Sequence, residues 1–112
     1  MYNQILSAID NALLRLRKIR SQMGPADPHA SQLDAQIKAL ESSRRTIAQQ
    51  QTQDALNDLE DNNVLAHLGN LTNQLNQTTQ QLNNLSNLMN DVATAVSIAS
   101  DIVTTILPLL AA

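Results

Sequence analysis

The chain of 112 residues contains no cysteine, no tryptophan and no phenylalanine, and Tyr2 is its only aromatic residue. The lack of cysteine excludes disulfides, thiolate metal ligands and a thiol nucleophile. The lack of aromatic rings removes the usual walls of a small-molecule pocket and leaves the core to be built from Leu, Ile, Val, Ala and Met. These absences favour closely packed helices over a β-sandwich or a barrel.

Glycine is also scarce, and with only two glycines the chain has no glycine-rich phosphate-binding loop. One of them, Gly24, precedes Pro25, Asp27 and Pro28. Gly24 can end a helix in the left-handed conformation, and Pro25 cannot continue that helix. Asp27 is a good cap for a second helix that has Pro28 at its first position. The segment therefore predicts a tight turn between two helices.

Positive charge is absent from residues 46–112, which contain six acidic residues and no lysine or arginine. Residues 1–45 contain all seven cations and four acids. Attraction between the two parts is expected within a helical bundle. A nucleic-acid surface would show a denser basic stripe together with aromatic residues or a recognition motif, so we expect no nucleic-acid partner.

Residues for catalysis or for metal binding are few. His29 and His67 are the only histidines. His67 follows Glu60 by seven residues and could share a helix face with it, but a metal site needs further ligands. No Ser-His-Asp set or catalytic carboxylate pair is present. We therefore expect a non-enzymatic protein with no catalytic, cofactor-binding or metal-binding residues.

An apolar repeat with alternating spacings of three and four residues runs from Val64 to Leu110. It predicts one long helix that packs against other helices. Half of the 22 residues from Gly69 to Asn90 are Asn or Gln, and none is charged. Such neutral flanks indicate pairing by shape and amide hydrogen bonds, as in a bundle of three or more helices. The cap-forming residues 61–63 place a second turn before this helix.

These patterns predict one all-α domain, an elongated antiparallel three-helix bundle or coiled coil with a very long C-terminal helix. The expected elements are helix 1 at about 2–23, helix 2 at about 28–60 and helix 3 at about 64–108 of a single domain spanning 1–112. Helix 3 would pass the far end of helix 2 near Val96 and leave about 20 Å of apolar helix without a partner in its own chain. The alternative is a four-helix bundle, if helix 3 breaks near Asn90.

Such an overhang predicts self-association, because an exposed apolar helix of this length would aggregate. The expected partner is a second copy or a partner helix. The expected interface consists of Leu75, Leu82, Leu85, Met89, Val92, Val96, Ala99, Ile102, Val103, Ile106 and Leu110. Replacing Ile102 and Ile106 by Asp should then dissociate the oligomer and leave the other helices folded.

Two arginines, Arg20 and Arg44, occupy apolar stripes where leucine would be expected. Their stems can cover apolar surface while the guanidinium reaches a carboxylate. The geometry of a helical hairpin brings Arg20 near Asp27 or Asp34, and Arg44 near Asp10. The sequence thus predicts ion pairs between helices 1 and 2.

The function that these patterns favour is that of a self-associating coiled-coil structural or interaction protein. One alternative is a leaderless secreted or membrane-acting protein, such as a secretion-apparatus, filament or translocator component, in which residues 92–112 contact a membrane. The second alternative is a cytoplasmic adaptor or chaperone that binds a partner helix. The cations of helix 1 follow its apolar residues, unlike those of a signal peptide, so we expect a cytoplasmic protein or export without a cleaved leader.

The Pro-Ala-Asp-Pro turn at residues 25–28, between two short amphipathic helices, resembles the hairpin of type III secretion needle subunits. These are small leaderless proteins that polymerise into helical filaments. The resemblance covers at most residues 1–50, and helix 3 has no counterpart in that two-helix hairpin. It does not assign the chain to that family.

Overall fold

The computed structural model describes residues 1–82 and 87–110. In these two ranges the chain is all-α, with no β-strand, which confirms the predicted all-α class. The predicted number of three helices is wrong. The five helices are α1 (Tyr2–Ser21), α2 (Ala30–Ile47), α3 (Gln50–Asn57), α4 (Asn62–Gln81) and α5 (Leu88–Leu110).

The first predicted turn is confirmed, since α1 ends at Ser21 and α2 begins at Ala30. The Oδ1 atom of Asp27 accepts a hydrogen bond from the backbone N–H of His29 at 2.9 Å. This hydrogen bond stabilises the turn but does not cap α2, whose N-cap residue is His29 and which has no side-chain cap hydrogen bond. The predicted cap at Asp27, with Pro28 as the first helical residue, is therefore wrong, because the chain is still turning at residues 28 and 29. Gly24 does not have the positive φ that we expected, so the chain turns here without a left-handed glycine.

The predicted helix 2 is divided into α2 and α3. α2 ends at Ile47, and Gln49 has an extended backbone with φ −71° and ψ 149°. The Thr52 hydroxyl donates a hydrogen bond to the Thr46 carbonyl at 3.0 Å across the break. A continuous helix over about 28–60 is therefore wrong, and the break falls in the polar run at residues 49–53. A glutamine run contributes no apolar side chain that would hold the helix straight, and the chain bends there instead.

The predicted helix 3 is also two helices, so a single helix over 64–108 is wrong. α4 begins after Asp61, whose carboxylate accepts hydrogen bonds from two backbone N–H groups, as the predicted second turn requires. α4 ends at Gln81 and α5 begins at Leu88. The four-helix alternative placed the break slightly later, near Asn90. The interval between them contains three asparagines and a serine, which favour turns over helix interiors.

The four longer helices form the corners of a bundle about 48 Å long. α1 packs against α2 and α4, and α5 packs against the same two helices from the other side. Among the described residues, α2 and α4 do not contact each other and therefore lie on opposite corners. The chain must cross one end of the bundle to pass from α2 to α4. The short helix α3 makes this crossing and contacts α1, α2 and α5.

α5 contributes one face to a continuous apolar core and has no overhang, because α2, α3 and α4 all pack against it. Its buried residues are Leu88, Val92, Ala95, Ile98, Ala99, Ile102 and Ile106. This stripe is rotated by about one position from the predicted heptad, so Met89, Val96 and Val103 lie half-buried at its edge. The exposed face of α5 includes the hydroxyl residues Thr94, Ser97, Ser100 and Thr104 together with Asp101 and Leu107.

Candidate functional site

The residues predicted to form an interface between chains lie largely in the core of one chain. The buried members are Leu75, Leu82, Val92, Ala99, Ile102 and Ile106, and the half-buried members are Met89, Val96, Val103 and Leu110. Leu85 lies outside the described residues. A second chain would reach the buried side chains only if α4 or α5 left the bundle. The overhang that motivated this interface is absent, and self-association itself stays a prediction.

Both predicted ion pairs between α1 and α2 are confirmed. Arg20 Nε lies 2.8 Å from Asp34 Oδ1, and Arg44 donates to both carboxylate oxygens of Asp10. The hydrogen bond from Arg44 to Asp10 and the negative charge of Asp10 raise the pKa of Arg44 above its ordinary value. These side chains are half-exposed, so the pairs orient the hairpin and stabilise it by only about 0 to 1 kcal/mol each.

A groove between α1 and α4 has a volume of about 930 Å³. A smaller depression near the start of α1 continues it and shares Asn11 and Asn76. Gln4 and Gly69, in the first halves of α1 and α4, line the depression, and Lys18 and Gln80, near the ends of these helices, line the groove. α1 and α4 therefore run parallel. Because α5 follows α4 after a short connection, it runs back antiparallel to α4.

Thr79 of α4 lines this groove, and Thr72 lines the depression that continues it. The hydroxyls of Thr72 and Thr79 donate to the carbonyls of Leu68 and Leu75, at 2.7 and 2.8 Å. They are therefore satisfied within the helix and require no partner from α1. A methyl group at Gly69 would meet no atom within 4 Å, which shows that the depression is open at this point. The groove can accept side chains from outside.

The walls of the groove are amide-rich and carry an exposed leucine. Asn11 and Gln22 of α1 face Asn76 and Gln80 of α4. Leu14 of α1 is 69% exposed, the most exposed large apolar side chain of the described residues. An exposed leucine beside amide side chains is the composition of a surface that gains from contact with another protein.

The groove is positively charged, because Arg15 and Lys18 line it and none of its lining residues is acidic. Neither cation forms an ion pair within the described residues, in contrast to Arg17 and Arg20 on the adjoining face of α1. Sequence reasoning missed this surface. The signal that could have found it is Leu14, which lies outside the apolar stripe of helix 1.

α5 is the one helix of the described residues that is long and apolar enough to cross a membrane by length and composition. Its 23 residues include a window with a mean hydropathy of 1.7, of which 33% is buried in the bundle. The remainder includes the exposed Asp101 and several hydroxyl residues, which suit the outer face of a bundle helix.

No group of three or more His, Asp or Glu side chains that could hold a metal ion occurs in residues 1–82 and 87–110. His29 precedes α2, Glu60 precedes α4 and His67 lies in the second turn of α4, and all three are exposed. The histidines thus lie near opposite ends of the bundle, at the start of α2 and at the start of α4.

Comparison with protein-family models, with curated proteins and with solved structures found no match to this chain. The likeness of residues 25–28 to the needle-subunit hairpin therefore gains no support from a wider match.

Proposed function

We propose that this chain is a non-enzymatic interaction module that associates with copies of itself, and that the groove between α1 and α4 is its contact surface. The observation that carries the proposal is the exposed Leu14 in a groove lined by amides. The large apolar side chains of the core are already buried within one chain, so Leu14 is the side chain that gains most from a partner.

The amides around Leu14 suit a protein partner. Asn and Gln side chains donate and accept hydrogen bonds, so they pair with similar amides or with backbone groups of a second helix without needing a complementary charge. The absence of aromatic walls makes the groove a poor site for a small organic ligand. Both features support a helical protein surface as the occupant.

Sedimentation velocity of the wild-type chain over a wide concentration range tests this function. We expect the weight-average mass to rise with concentration and Leu14→Asp to lower it. Leu107→Asp is the matched control, because Leu107 is the other exposed large apolar residue and lies on α5, outside the groove. A wild-type chain that stays monomeric at millimolar concentration contradicts self-association. Equal effects of the two substitutions contradict the assignment of the groove as the contact surface.

The length and hydropathy of α5 favour a second candidate, in which the chain binds membranes through this helix. Entry into a bilayer would expose the face of α5 that now carries Ser97 and Thr104 to lipid. Lysines at these two positions should abolish co-flotation with phosphatidylcholine vesicles, because charges are costly in the hydrocarbon core. Ser31→Lys with Ser42→Lys on the exposed surface of α2 is the control. A wild-type chain that stays at the bottom of the gradient excludes this candidate.

A further inference from the structure

The bundle has a concentrated negative charge at the end where α3 crosses it. Asp54, Asp58, Glu60 and Asp61 lie within eight residues of one another, and all four are exposed. Gln50 donates a hydrogen bond to Asp54, and Asp61 caps α4. Asp58 and Glu60 form no ion pair within the described residues. These two carboxylates are therefore available to cations outside the chain.

The positive groove lies toward the opposite end. α3 follows the C-terminal end of α2, which lies beside the N-terminal end of α1 because the two helices are antiparallel. Arg15 and Lys18 lie about 20 and 24 Å along α1 from its first residue, at 1.5 Å per residue. Arg15 and Lys18 thus lie far along the bundle axis from Asp58 and Glu60. The two cations and the two acids of one molecule cannot form ion pairs with each other.

We infer that the α3 end of one molecule docks into the α1–α4 groove of the next, which joins the molecules head to tail. Asp58 and Glu60 of one copy pair with Arg15 and Lys18 of another, and the half-buried Leu59 between the two acids lies beside the exposed Leu14. The inference rests on the proposed self-association and names the two surfaces that meet. A contact between two different surfaces does not close on itself unless the rotation between copies completes a ring, so it yields a chain or a ring of molecules.

Charge complementarity favours this occupant over a symmetric contact between two grooves. A symmetric contact would bring two copies of the same positive surface together, and like charges across an interface are costly. The α3 end supplies the opposite charge and belongs to every molecule of a pure sample. Because the paired groups are near the surface, added salt should weaken the association, with a Debye length of about 10 Å at 0.1 M ionic strength.

Charge-reversal variants test the inference by sedimentation velocity at low salt. We expect Arg15→Glu with Lys18→Glu to lower the association constant by about tenfold or more, and Asp58→Lys with Glu60→Lys to do the same. An equimolar mixture of the two variants should regain association, because each variant presents a surface opposite in charge to a surface of the other. The variant that carries all four substitutions should also associate. Asp61 is left unchanged because its removal would uncap α4.

The control for the groove variant is Lys38→Glu with Arg45→Glu, which makes the same change in net charge at exposed positions outside the groove. It should associate more than the groove variant does, and circular dichroism should show that every variant keeps the wild-type helix content.

Failure of the mixture and of the fourfold variant to associate overturns the docking of these two surfaces. Loss of association only in the groove variant overturns it as well, since the occupant is then another acidic surface. A monomeric wild-type chain refutes the proposed function itself, and a self-associating chain that ignores all reversals refutes only this inference.

Discussion

Replacing Ile102 and Ile106 of α5 by Asp should unfold the whole bundle. Both side chains are 0% exposed and lie in the core formed by the chain itself. The sequence-based expectation was that the same substitutions would dissociate an oligomer and leave the other helices folded. The structure reverses that expectation, because α5 supplies one face of the core and cannot be lost without exposing α2 and α4.

The magnitude follows from burial. Truncating one buried isoleucine to alanine costs about 2 to 5 kcal/mol. Domains of this kind have unfolding free energies of about 5 to 15 kcal/mol, so two truncations already approach the total stability. The two sites are one helical turn apart and share neighbours, so their effects need not add. An aspartate at either site must also bury a carboxylate or open the core to water, which costs several kcal/mol more.

Urea titration followed by far-ultraviolet circular dichroism measures this effect. We expect Ile102→Ala to lower the free energy of unfolding by about 2 to 5 kcal/mol. The double Asp variant should lack cooperative unfolding at 25 °C. Thr104→Asp on the exposed face of α5 is the control and should stay near the wild-type stability. A double Asp variant that keeps the wild-type midpoint of unfolding and differs only in its oligomeric mass in solution would show that α5 does not belong to the core of its own chain.

Three smaller changes test the local structure by the same titration. Gly69→Ala should raise the free energy of unfolding by about 0.5 to 1 kcal/mol, because alanine favours the helix and its methyl group meets no atom within 4 Å; a loss of stability contradicts the open depression. Asp61→Ala should cost about 0.5 to 2 kcal/mol through loss of the α4 cap, and no loss would mean that water replaces the cap. A double-mutant cycle on Asp10 and Arg44 should give a coupling of about 0 to 1 kcal/mol that shrinks in salt. A coupling that salt does not change argues against a solvated pair.

Several features of the fold could be predicted because their causes are local. The turn at residues 24–28 follows from a proline that cannot continue a helix and from Asp27, whose carboxylate accepts a hydrogen bond from the backbone N–H of His29. The cap by Asp61 has the same origin. The pairs of Arg20 with Asp34 and of Arg44 with Asp10 also follow from the sequence, since a tight turn between antiparallel helices determines which side chains lie opposite each other.

The division of the long C-terminal repeat could not be predicted in this way. An apolar residue at every third or fourth position suits a continuous helix packed on another chain as well as two helices packed on each other. Helix propensities in the interval between Gln81 and Leu88 differ from those of good helix formers by less than about 1 kcal/mol per residue. The choice between one helix and two therefore depends on burial far from the break, because α5 buries seven of its residues and packs against α2, α3 and α4.

The sequence by itself thus determined the helical class, the two turns, the Asp61 cap and the ion pairs between α1 and α2, because each depends on groups close in the chain or placed by one hairpin. Only the tertiary structure decided that α3 crosses the bundle end, that α5 turns its Leu88 and Ile102 face inward, and that Leu14 remains outside. These features depend on which helices become neighbours. Burying an aliphatic side chain is worth about 1.5 to 3 kcal/mol, so the sum over α5 outweighs the local preferences of the few residues at the break.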